Sequence, residues 1–156
     1  MAKLKLIKED DKSSDTPKEN LSPLSEISAE DLSNRIIELA LTQKSLDAVG
    51  YDVREISSIA KFIIVISGTS TRHVKGIADK LKLGTLQFGL APTRVDGYES
   101  GDWIILDYDD VIAHVFFEPQ RQYYQFDSLL DGAPKLELSD ELKKQQRQFK
   151  TGLHSL

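Results

Sequence analysis

The stretch "SGTSTRHVKGIAD", Ser67–Asp79, follows the apolar run "FIIVI" and reads as a strand, a hydroxyl-rich glycine turn and a helix. Such junctions hold phosphates in many enzymes, because free backbone N–H groups and the positive helix end face the ligand. With Asp107 and Asp109 of "LDYD" as a Mg2+-binding pair, the Ser67–Gly68 turn would make a nucleotidyltransferase site. The spacing argues against it. In such a site the carboxylates stand on the next strand after the turn's helix, whereas here a helix, a loop and another strand intervene. Asp107, Asp109 and Asp110 also lie where "WIIL" must turn back into "VIAH", and Asp is an ordinary turn former.

Simpler roles cover the other reactive types. Thr69, Ser70 and Thr71 can cap the helix through their side-chain oxygens. The P-loop's lysine and following Ser or Thr are missing, and only Gly68 of a dinucleotide fingerprint stands at the turn. His73, His114 and His154 have no metal-ligand spacing between them, so His73 and His114 read as structural histidines of the core. No G-x-S-x-G elbow supports a serine hydrolase, and the absence of cysteine excludes thiolate chemistry, disulfides and zinc–sulfur sites. The residues assign no catalytic group, cofactor or metal.

The sharpest signal is a charge asymmetry. No Lys or Arg stands between Arg94 and Arg121, while that stretch carries Asp96, Glu99, Asp102, Asp107, Asp109, Asp110 and Glu118. It also holds the only tryptophan, Trp103, beside Ile104. Two readings stand: an acidic solvated hairpin with a core tryptophan, or an aromatic anchor ringed by carboxylates and suited to a basic protein surface. Nucleic acid would be repelled by it.

The elements that position these residues follow from periodicity. "SAEDLSNRIIELAL" opens on Ser28 as an N-cap, with Leu32, Ile36, Leu39 and Ala40 at helical spacing. "YDVREI" and "FIIVISG" read as strands, the second apolar throughout as a central buried strand would be. Val74, Ile77, Ala78 and Leu81 make "TRHVKGIADKL" an amphipathic helix. "PTRVDGY", "DWIILDY" and "VIAHVFF" supply three more strands, joined by the turns "YESGD" and "DYDD", and "QRQYYQFDSLL" closes as a short helix. The order α-β-β-α-β-β-β-α predicts a mixed sheet with helices packed on it.

Flanking segments differ in composition. Met1–Ile27 is polar with no periodic apolar face, and is expected to be disordered. Residues 28–130 form the patterned domain, and 131–156 a tail with one weak helical stretch, "SDELKKQQRQF". The 156 residues, 40% hydrophobic and 29% charged with net charge −5, fit one soluble domain that does not live by gripping phosphate backbones. No apolar run approaches the roughly 20 residues needed to span a membrane. Lysines and acids interrupt "MAKLKLIKEDDK", so a signal or transit segment is not expected.

The blocks "FIIVISGTSTRHVKGIAD", "VDGYESGDWIILDYDDVIAHVF" and "YYQFDSLL", from about Leu32 to Leu130, resemble the ribosomal silencing factor, or Iojap, family. The resemblance implies a compact α/β fold, a mixed five-stranded sheet flanked by helices, nucleotidyltransferase-like without the catalytic site. It further implies a cytoplasmic, non-enzymatic factor that binds large-subunit ribosomal protein fourteen and sterically blocks joining of the subunits. Translation is thereby repressed when nutrients are scarce. Carried over residue by residue, the contact falls on Trp103 and Ile104, with Glu99 and Asp102 as acidic neighbours. The family also implies a homodimer when free, no cofactor, and no membrane or sequence-specific nucleic-acid binding. Two departures stand out: Lys61 occupies a usually acidic position, and Gly84 is expected to break the usual long helix early.

Overall fold

The structure, a computed structural model, describes residues 27–155. The N-terminal segment expected to be disordered lies, up to residue 26, outside the described residues. Helix α1 (Ala29–Thr42) starts at Ser28, whose Oγ accepts the Asp31 N–H at 3.0 Å, and buries Leu32, Ile36, Ile37, Ala40 and Leu41. Strands β1 (Leu46–Asp52) and β2 (Phe62–Gly68) follow, then α2 (Thr71–Leu86), β3 (Arg94–Asp96), β4 (Trp103–Asp107), β5 (Val111–Phe117) and α3 (Glu118–Tyr124). A 3-10 turn at Phe126–Leu130 and α4 (Asp140–Ser155) complete the chain. No helix among the described residues is long and apolar enough to cross a membrane.

The five-stranded sheet runs β1-β2-β5-β4-β3, with β2 and β5 parallel and the other neighbours antiparallel. As the apolar pattern of "FIIVISG" requires, β2 is an interior strand covered on both faces, although the middle place falls to β5. One face packs under α1 and α2 through Ile64, Ile66, Ile104, Leu106, Ala113 and Val115. The other carries a second, smaller cluster of Tyr51, Val53, Val65, Phe116 and Leu130.

Three boundaries differ from the sequence reading. The first strand begins earlier and stops at Asp52, because Ile56 and Ser57 N–H groups turn back onto the Val53 carbonyl. Gly84 does not break its helix: α2 continues to Leu86, and Gly84 is where α1 crosses it, a Cβ there falling 2.5 Å from Leu39 Cδ2. The C-terminal segment is packed rather than free. Asp52 N–H donates to the Pro134 carbonyl, Leu136 N–H to Gly50, and the Gln146 side chain accepts the Ala48 N–H, sealing the outer edge of β1.

The two glycines of α2 give the same substitution opposite signs. At Gly76 an added Cβ meets only the Gln43 side-chain oxygen at 3.9 Å, so Gly76→Ala should raise stability by about 0.5–1 kcal/mol through helix propensity. Gly84→Ala forces Leu39 aside and should lower it by roughly 1–3 kcal/mol. Urea denaturation of both variants checks the pair.

Candidate functional site

Strand pairing sets which side chains share the face opposite α1 and α2. Its rows run Tyr51–Ile63–Ile112–Asp107–Arg94, then Val49–Val65–His114–Ile105–Asp96, then Ser67–Phe116–Trp103. The C-terminal turn covers the β1–β2 half through Leu130 and Ala133. Over β4 the cover is thinner. Trp103 and Ile105 are only half-buried there, and Tyr124 beside Trp103 is exposed.

Trp103 is held, not merely displayed. Its ring stacks on Phe116 at 4.7 Å between centroids and meets Tyr124 at 5.3 Å and Phe126 at 5.7 Å. Its Nε1–H donates to His114 Nδ1 at 3.0 Å. The two sequence readings of this residue therefore meet in one side chain: part of it belongs to the second core cluster and part remains open to solvent.

Before it runs the acidic turn. Gly97 and Gly101 both adopt positive φ, and the Gly101 N–H closes the turn on the Gly97 carbonyl at 3.1 Å. A Cβ at Gly97 would strike the Trp103 carbonyl, so only glycine lets the turn lie this close to the strand. Glu99 is exposed and Asp102 half-exposed, and the Asp102 carbonyl accepts the Phe117 N–H at 2.9 Å, pinning the turn to β5.

Ile104 is placed elsewhere. It is fully buried under α1 and α2, so it cannot touch a partner of the folded domain. Alternation along β4 sends it to the face opposite Trp103, and Ile105 stands in the row beside it. The sequence carried no signal for this: "WIIL" is apolar throughout, and carboxylates flank it at both parities, Asp102 and Asp107.

The Ser67–Gly68 turn and the Asp107/Asp109 pair do not form a site. Gly68 pairs with Phe117 at one end of β5, whereas Asp107 pairs with Ile112 at the other. Five residues at a strand rise near 3.3 Å put the two about 16 Å apart. Asp107 Oδ1 accepts the Asp109 N–H, an ordinary turn contact. Among the described residues no group of three or more His, Asp or Glu could hold a metal. Ser70 Oγ caps α2 by accepting the His73 N–H, and the Thr69 N–H donates to His73 Nδ1 at 2.9 Å. That leaves His73 Nε2–H to donate to the Gln43 carbonyl at 2.6 Å, tying the start of α2 to the end of α1.

The cover over the second face is locked by a network the sequence did not disclose. Arg121, 8% exposed, donates through Nε and Nη2 to both oxygens of Asp127 at 2.8 and 2.9 Å, and through Nη1 to Ser67 Oγ and the Asp47 carbonyl. Tyr51 OH donates to Asp127 Oδ2 at 2.6 Å. Burial alone would raise the Asp127 pKa, but the hydrogen bonds from Arg121 and Tyr51 and the guanidinium charge hold it below the usual carboxylate range. Burial and the adjacent carboxylate push the Tyr51 phenol up. No spacing rule links Arg121 to Asp127, because the left-handed Gln125 (φ 50°) breaks α3 between them. Elsewhere Lys61 reaches Asp110 at 3.6 Å with both side chains exposed, a weak pair at most.

A family model described as "Ribosomal silencing factor during starvation" matches residues 26–154. The chain belongs to that family. The match takes in α4, beyond the Leu130 limit of the resemblance seen in the sequence. Among curated relatives, a protein named Ribosomal silencing factor RsfS from Halalkalibacterium halodurans is 35% identical over 96 residues, covering 62% of this chain and 82% of its own. The chloroplastic protein Iojap of Zea mays is 26% identical over 94 residues, 60% of this chain and 40% of that one. A crystal structure of a Chromobacterium violaceum protein superposes with a TM-score of 0.66 at 28% identity, over 72% of this chain and 93% of that one. One from Bacillus halodurans gives 0.57 at 31% identity, over 66% and 94%. The mixed α/β sheet is therefore the fold these silencing-factor relatives share.

His114, which takes the Trp103 hydrogen bond, makes the site sensitive to acid. Burial pushes its pKa from 6.5 down to about 4. The folded value lies below the unfolded one, so its contribution to stability is complete above about pH 6.5 and is lost as the pH falls toward 4. Protonation would also put a second hydrogen between Nδ1 and the indole N–H. The domain should lose about 2 kcal/mol from this group by pH 5. A His114→Gln variant should lack that component in denaturation series between pH 7 and 5.

Proposed function

We propose that this protein silences translation by docking on the large ribosomal subunit and blocking attachment of the small one. Its contact is large-subunit ribosomal protein fourteen, a basic protein, and its own contribution is Trp103 with the acidic turn of Glu99 and Asp102. The observation that carries the reading is the setting of Trp103. A large aromatic held by stacking, half open to solvent and next to exposed carboxylates, is built as a hot spot for a cationic partner. Support in the same direction comes from the relatives, which are named as silencing factors. Ile105, on the same face as Trp103, is the apolar neighbour available for the role that the family resemblance gave to Ile104.

No chemistry is required for this function. Steric exclusion needs only that the bound domain occupy the surface where the small subunit must land. The experiment is direct: purified protein is added to separated subunits, and the yield of joined ribosomes is read by sucrose-gradient sedimentation. Co-sedimentation with large subunits and a dose-dependent fall in joined particles are expected. Joining at the control level with the protein bound, or absence of binding, would refute the reading. Nucleotide turnover abolished by Asp107→Ala would favour an enzyme instead.

A further inference from the structure

The solvent face of α2 is charged against the character of the chain. It carries Arg72, Lys75, Lys80 and Lys82 with a single carboxylate, Asp79, in a protein of net charge −5. The buried arc of the helix is Val74, Ile77, Ala78, Leu81, Gly84 and Thr85, which puts all four cations on the outer arc. None of them makes an ion pair among the described residues. Asp79 is already occupied, accepting the Tyr98 OH at 3.1 Å, while Lys75 and Lys82 Nζ lie 5.7 and 5.3 Å from the centre of the Tyr98 ring.

Tyr98 belongs to the acidic turn, so the two charged surfaces are neighbours. A Cβ on Gly101 would sit 3.0 Å from the Thr71 carbonyl and 3.1 Å from Lys75 Cε. A partner that grips the Glu99–Asp102 turn therefore has the cationic helix at the edge of its footprint, although Trp103 itself stands on the opposite sheet face. A basic protein would be attracted by the turn and repelled by α2. A basic protein embedded in phosphate satisfies both.

We propose that the outer face of α2 binds ribosomal RNA backbone phosphates next to the docked protein, as a second, sequence-independent half of the contact. This inference rests on the silencing reading above and deepens it. Phosphate contacts made by lysine and arginine release counterions, so the signature is in the salt dependence. The variant Arg72→Gln with Lys80→Gln removes two outward cations without touching the Tyr98 packing. Its affinity for large subunits should fall about tenfold near physiological salt, with the log–log salt slope shallower by roughly 1–2. Its affinity for isolated protein fourteen should equal the parent's. Lys75→Gln with Lys82→Gln should lower subunit affinity in the same way.

Three results would overturn the proposal, and they are distinguishable. Unchanged subunit affinity and salt slope in both double variants, with the parent binding normally, would remove the RNA contact alone. Equal losses on subunits and on isolated protein would make this face a protein contact. A parent that binds neither subunits nor isolated protein would refute the silencing reading itself.

Discussion

Trp103→Ala is expected to weaken binding to large subunits by about thirtyfold or more, a loss of about 2 kcal/mol or greater. The domain should remain folded, because the larger cluster under α1 and α2 does not include this residue. Thermal stability should nonetheless fall, since Phe116, Tyr124 and Phe126 lose a stacking partner and His114 loses its donor. Circular dichroism and binding must be read on the same sample. Trp103→Phe keeps the ring on Phe116 and gives up the N–H, so it should fall between parent and alanine. Ile104→Ala supplies the contrast: a stability loss of about 2–5 kcal/mol for a buried position, with unchanged affinity in the folded fraction. Glu99→Lys and Asp102→Lys should act chiefly through the association rate, with a penalty that fades at high salt. A folded Trp103→Ala variant that binds as tightly as the parent would sink the site.

The largest stability effect is expected at Arg121. Arg121→Met leaves the Asp127 carboxylate, the Ser67 hydroxyl and the Asp47 carbonyl without their shared donor in a largely buried setting. Breaking a buried pair from one side costs about 3–5 kcal/mol. Asp127→Asn should destabilise as well, since it leaves the buried Arg121 guanidinium without its counter-charge even though the amide oxygen can still accept a hydrogen bond. The acid limb of the parent's stability should report the same pair. Because the Asp127 pKa is held below its ordinary 3.8, its contribution is present above that value and is lost as the pH falls through the lower folded one. Arg121→Met should flatten that limb. Binding should weaken too, because the segment Arg121 fastens carries Tyr124 and Phe126, which hold Trp103 in place. Equal denaturation midpoints for parent and Arg121→Met would show that the network contributes nothing.

Local chemistry alone was enough for much of the fold. Ser28 and Ser70 cap the helices they precede, the apolar "FIIVISG" is an interior strand buried on both faces, and the glycine-bearing "YESGD" is the tight turn before β4. Each depends on contacts within a few residues, which spacing encodes. The acidic, cation-free hairpin around Trp103 was equally legible, because charge is additive along the chain. The phase of β4 was not. "WIIL" is apolar at every position, so alternation could not say whether Ile104 or Ile105 faces the core; covering one face with α1 and α2 decided it. Nor could spacing place Asp107 at the far end of the sheet from Gly68, since that follows from β2 and β5 running parallel. The ties of Arg121 to Ser67 and Asp47, of Tyr51 to Asp127, and the pairing of Leu136 with Gly50 likewise depend on segments that meet only when the chain closes. A side chain's own pattern fixes its element, but its partner is set by the packing that brings distant elements into register.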